Sequence, residues 1–131
     1  MSVDVEIKKD LLYTETHEWV HVNGEIAEIG ISDYAQKELG DLVYAEAEPV
    51  DSELSKGDIL ASIESVKMAT DVYSPVSGTI VETNEEIESA PELLNQKPYE
   101  TWIARVKMSD PSEADELMDA AAYKEHCNKE A

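Results

Sequence analysis

The sequence predicts a mainly β domain: a small antiparallel barrel or sandwich with one short internal helix and a helical segment at its C-terminal end. Three observations predict it. Short β-prone runs separated by turn residues recur from Leu12 to Met108. Two of these runs are joined by Asn23-Gly24, the strongest short hairpin signal, because both residues tolerate positive φ. After Asp110 the composition shifts to Ala, Glu and Lys, which favour helix. A length of 131 residues suits a single domain, residues 1–131, able to bury a core without disulfide or metal.

Taken in order, Trp19–Val22 and Ile26–Ile29 form the first hairpin about Asn23-Gly24. Ser32 is placed to cap a short helix over 33–39, and Gly40 to end it. Leu42–Ala45 follows as a strand. After the Lys56-Gly57-Asp58 turn comes the strand Ile59–Ile63, with Ile59, Ala61 and Ile63 expected on one face. Residues 66–72 read as a second hairpin region with Lys67 near its tip. Ser74–Gly78 is a turn cluster, Thr79–Val81 a strand, and 82–98 an acidic loop. Trp102–Met108 alternates, placing Trp102, Ala104, Val106 and Met108 opposite Ile103, Arg105 and Lys107. Asp110-Pro111 starts the C-terminal helical segment, about 110–127, with a break near Asp119.

Charge excludes several classes of function. Thirty acids against ten bases leave a net charge of −20, which repels nucleic-acid phosphates and anionic lipid surfaces. No apolar run approaches the roughly 20 residues of a membrane span, and the first ten residues lack the pattern of a signal or transit peptide. A cytoplasmic protein is the expectation. The acids are dispersed along the chain, which fits either a salt-rich interior or partners that prefer an acidic face. Melting measured from low to molar salt separates these two explanations.

Two motifs are set aside on geometry. His17-Glu18-Trp19-Val20-His21 matches His-Glu-x-x-His, which grips zinc when both histidines share a helix face. Here it runs into a hairpin strand, where residues four apart are separated by about 13 Å. No metal and no catalytic residue is therefore expected. Cys127 lies in the terminal helix as a surface or packing thiol, not as a nucleophile.

Lys67 stands out. It is flanked by Val66 and Met68, alternating strands continue on both sides, and the Ser77-Gly78 turn follows at a distance of 11 residues. Glu64-Ser65-Val66-Lys67 through Asp71-Val72-Tyr73-Ser74-Pro75-Val76-Ser77-Gly78 resembles the lipoyl-lysine region of the glycine cleavage system H-protein family. His17-Glu18-Trp19-Val20 resembles that family's first strand. Gly30–Gln36 with Leu39-Gly40-Asp41 resembles its short-helix signature, and Ser89–Asn95 with Pro98-Tyr99 its late loop. The likeness covers about residues 11–127. Met68 stands where the family usually has Ala, and Thr16 where it more often has Ser.

The resemblance implies a flattened antiparallel β-barrel, or barrel-sandwich hybrid, of the lipoyl-domain type. It implies a non-catalytic carrier with lipoate amide-linked to Lys67, and Glu64 and Gly78 read by the lipoylating enzyme. Thr16, Glu18 and Asp71 become candidates for lining a cleft that receives the loaded arm, by attracting a protonated amine and excluding water. The partners implied are the glycine decarboxylase (P-protein), the aminomethyltransferase (T-protein), dihydrolipoamide dehydrogenase (L-protein) and a lipoate ligase or octanoyl/lipoyl transferase. The cycle carries the aminomethyl group of glycine from the P-protein to the T-protein, with reoxidation by the L-protein. The alternatives are an H-like protein relaying lipoyl groups to other complexes, a biotin carrier, or a carrier domain of a 2-oxoacid dehydrogenase.

Overall fold

A computed structural model describes residues 5–130. The chain folds into two antiparallel sheets with a few short helices. The strands are β1 (Leu12–Tyr13), β2 (Glu18–Asn23), β3 (Ile26–Ile31), β4 (Leu42–Ala47), β5 (Glu53–Leu54), β6 (Ile59–Ser65), β7 (Ala69–Tyr73), β8 (Gly78–Thr83) and β9 (Ala104–Met108). A six-stranded sheet has the order β1-β2-β3-β9-β8-β5, and a three-stranded sheet the order β4-β6-β7. Both sheets contribute to one core, with Val20, Ile29, Val106 and Ile80 from the first meeting Leu60, Ile63 and Val72 from the second. Each fully buried branched side chain there contributes about 1.5–3 kcal/mol. This is the expected barrel-sandwich arrangement.

The first hairpin forms one residue later than Asn23-Gly24 suggests. Asn23 pairs with Ile26, so Gly24 and Glu25 make the turn, and Gly24 alone of the two takes positive φ, at 64°. That is the pattern of a type II′ turn, which needs glycine only at its first central position. Helix α1 (Asp33–Leu39) is built as its ends predict. The Ser32 hydroxyl accepts from the Ala35 N–H at 3.2 Å, and Gly40 closes the helix at φ 80°.

Three expectations are corrected. Ile59, Ala61 and Ile63 do not share a face. A register shift between Ile59 and Ala61 turns Leu60 into the core and leaves Ile59 exposed, because one extra residue reverses the alternation. The 82–98 stretch is not all loop; it contains the single turns α2 (Glu86–Ser89) and α3 (Leu93–Gln96), which bury Ile87 and Leu94. Ile103 does not join Arg105 and Lys107 on an outer face. It lies before β9 and is fully buried.

The C-terminal segment does break at Asp119. A 3-10 helix spans Pro111–Glu116, and α4 runs Ala120–Glu130, three residues past the expected end. The Asp119 carboxylate accepts from the Ala122 N–H at 2.9 Å. Helix α4 packs through Tyr123 and Cys127 into a second cluster with Leu11, Tyr13, Trp19 and Tyr34, and the Tyr13 and Tyr123 rings stack at 4.3 Å. Cys127 is thus the packing thiol of the two options, and burial pushes its thiol up. No helix among the described residues is long and apolar enough to cross a membrane.

Candidate functional site

The β6–β7 hairpin ends in Val66-Lys67-Met68, with Glu64 paired to Ala69 across its base. No glycine shapes this tip. Ser65, buried at the end of β6, does so instead: its hydroxyl oxygen accepts from the Lys67 and Met68 N–H groups, both at 3.1 Å. The Ser65 N–H in turn donates to the Met68 carbonyl at 2.8 Å, and the Val66 N–H donates to the Asp41 carbonyl at 3.0 Å. The tip is therefore tied both to itself and to the turn after α1. The Lys67 stem passes beside Gly40, where an added Cβ would lie 3.3 Å from Cε.

The end of that stem is open. Lys67 is exposed, and its ammonium makes no ion pair among the described residues. Val66 and Met68 are also exposed, at 69 % and 53 %, and Val43 and Tyr44 on neighbouring β4 are exposed too. The lysine thus rises from an apolar collar. Glu64 is exposed on the same hairpin and pairs with Tyr44. Gly78 lies elsewhere, at the start of β8 in the other sheet. An added Cβ there would meet the Lys107 carbonyl oxygen at 2.1 Å, so strand packing alone accounts for this glycine.

Thr16, Glu18 and Asp71 converge. They line one cleft of about 160 Å³ with Ile31, Leu39 and Ile63, between α1 and the hairpin that carries Lys67. Asp71 is four residues beyond Lys67, which at strand rise puts the cleft within about 13 Å of the tip. Glu18 is not a surface acid, being 2 % exposed. Its carboxylate accepts from the hydroxyls of Thr14 and Thr16 and, at 3.3 Å, from the Tyr73 N–H. Burial raises its pKa above the ordinary carboxylate value, and these three donors partly offset the rise. Asp71 is half-buried on β7.

Thr14, Ser65 and the Asp41 carbonyl escaped sequence reasoning. Thr14 binds the Glu18 carboxylate and also accepts from the Glu18 N–H at 3.0 Å. A Ser two residues before Lys67, at a strand end, is the local signal that would have found the brace, since short hydroxyl side chains bond nearby backbone.

Comparison with known proteins agrees with this fold. The Glycine cleavage H-protein family matches residues 11–130. The chain belongs to that family. A glycine cleavage system H protein of Syntrophomonas wolfei is 53 % identical over 126 residues, covering 96 % of this chain and 97 % of the relative. A probable glycine cleavage system H protein of Thermococcus kodakarensis is also 53 % identical over 126 residues, covering 94 % and 93 %. The crystal structure of the Mycobacterium marinum glycine cleavage system H protein superposes with a TM-score of 0.82 at 30 % identity, covering 95 % of this chain and 98 % of that one. Membership of the H-protein family supports a carrier role in glycine cleavage.

Proposed function

We propose that the chain carries a lipoyl arm on Lys67 and shuttles the aminomethyl group of glycine between enzymes of the glycine cleavage system, without catalysing a step itself. The observation that carries the reading is the braced, exposed lysine above a carboxylate-lined cleft. An acyl-transferring enzyme needs an amine it can surround and deprotonate, and among the described residues the Lys67 ammonium has no ion-pair partner to give up. Amide-linked there, lipoate supplies a disulfide at the end of an arm of order 14 Å, comparable to the span from tip to cleft. Ser65 and Asp41 fix the anchor, so the arm moves while its base does not. Tethering raises the local concentration of the cargo at each partner.

The cleft fits a small cation better than a neutral group. Asp71 offers a carboxylate at its mouth, and Thr14 and Thr16 keep the Glu18 oxygens oriented while the apolar walls Ile31, Leu39 and Ile63 exclude water. Glu64, beside the tip, is the better placed of the two residues for contact with a lipoylating enzyme; buried Gly78 acts through β8–β9 packing. The P-, T- and L-proteins are the partners on this reading, and the cytoplasm its compartment.

The test is acylation followed by turnover. Protein produced with lipoate and a lipoate ligase should gain the mass of one lipoyl group on the peptide containing Lys67, and should support glycine–bicarbonate exchange by the P-protein. Lys67→Arg should fold normally, take no lipoyl group and lose exchange completely. A modification at another lysine, a biotinyl mass, or exchange sustained by Lys67→Arg overturns the proposal.

A further inference from the structure

His17 and His126 are far apart in sequence and meet in the fold. His17 takes positive φ, at 74°, an uncommon conformation for a non-glycine residue, immediately before β2. Its ring faces the last turn of α4. There one Glu130 carboxylate oxygen accepts from the His17 Nε2 at 2.6 Å, and the other lies 3.1 Å from the His126 Nε2, whose N–H donates to the Glu15 carbonyl at 2.9 Å. One donor atom from each of the three residues lies within 4.8 Å of the others. His17 also borders the cleft of Thr16, Glu18 and Asp71, whereas His126 and Glu130 do not line it.

From this geometry we propose a binding site for one divalent transition-metal ion of the zinc class, with His17, His126 and Glu130 as ligands. Two imidazoles and a carboxylate suit zinc and its neighbours, and not the hard cations calcium and magnesium, which want oxygen only. Around a tetrahedral zinc the donor atoms stand about 3.3 Å apart, so small side-chain shifts close the set. The three side chains are 15 %, 23 % and 40 % exposed, so an ion can enter from solvent. Metal binding at the His126 Nε2 would release the Glu15 carbonyl oxygen, 2.9 Å away, to accept a hydrogen bond from a water in the fourth position.

A second shell already stands behind His17. Its Nδ1 is 2.8 Å from the Tyr123 hydroxyl, which is 2.6 Å from the buried Ser32 hydroxyl. When Nε2 donates to Glu130, Nδ1 accepts from Tyr123. When Nε2 presents its lone pair to a metal, the ring proton sits on Nδ1 and donates to Tyr123, whose own proton turns to Ser32. Metal-ligating histidines are held by an outer partner of this kind. The bound ion would clasp the loop carrying Thr16 and Glu18 to the end of α4. The sequence motif at His17 thus names one true ligand and the wrong partner: His21 is exposed on β2, and His126 takes its place.

The experiment uses the untagged full chain, stripped of metal, with zinc titrated against a chromophoric chelator and cobalt followed by its visible absorption. One equivalent of zinc should bind, cobalt should show the intense bands of four-coordinate geometry, and affinity should fall in acid as protons compete for the imidazoles. His126→Gln and Glu130→Gln should each weaken zinc binding about tenfold or more and abolish the cobalt bands, while His21→Gln changes neither. Melting without metal checks that each variant folds. His17→Gln is a third arm, read only if it folds. No binding at one equivalent, or binding that survives His126→Gln and Glu130→Gln but not His21→Gln, overturns the proposal.

Discussion

The two long hairpins reach their tips by different means. The β2–β3 turn is made locally. Gly24 takes positive φ and an added Cβ would meet nothing within 4 Å, so two residues suffice and no other part of the fold is needed. The β6–β7 tip has no glycine; the buried Ser65 hydroxyl at its own base shapes it, and the carbonyl of Asp41 ties it to a neighbouring element. The difference teaches why Lys67 sits on the second. A turn made only by local torsions is free to fray, whereas one tied to a neighbouring element holds its anchor residue at a fixed place.

Substitutions that act on one tip and not the other sharpen the contrast. Ser65→Ala has the largest expected effect. It removes the acceptor of two backbone N–H bonds and should cost about 1–2 kcal/mol in denaturant unfolding, with slower enzymatic acylation of Lys67. Unchanged acylation by a folded Ser65→Ala would mean the brace is dispensable. Gly24→Ala should cost about 1 kcal/mol, the penalty of a left-handed conformation for an L-residue, and leave acylation at the wild-type rate. A loss of acylation in that variant would show that the two tips are coupled.

The smallest effect concerns the cleft beneath the second tip. Burial raises the Glu18 pKa above its ordinary 4.5, so just above that value the folded chain holds a proton that the unfolded chain has lost. Stability from this site is therefore greatest in acid and falls as pH climbs toward the folded value. Glu18→Gln does not titrate. The wild-type unfolding free energy minus that of Glu18→Gln should decline across that window, and a difference that rises with pH would place Glu18 in a stabilised, fully ionised state instead.

Features set within a few residues of chain were legible in advance. The Ser32 cap and the Gly40 stop need only their own helix, and the break at Asp119 only a cap for the helix that follows. Lys67 was legible because alternation on both sides of it marks a hairpin. The β-bulge at Ile59 was not, since an inserted residue is set by pairing with β7 and leaves no composition signal. Nor was the burial of Glu18: its three donors come from Thr14, Thr16 and Tyr73, and Tyr73 is 55 residues away.

From residue order alone come the class of fold, the turn residues, the exposed lysine and the family to which its surroundings belong, because each rests on torsional preference, on alternation, or on motifs held in order along the chain. The three-dimensional fold decided the rest. It brought Asp71 to Thr16 and Glu18, gave His17 a histidine 109 positions distant, and turned a surface-looking glutamate into a buried one. Such pairings depend on how sheets and helix pack against one another, and side chains that meet across a core carry no mark of it in their immediate neighbours.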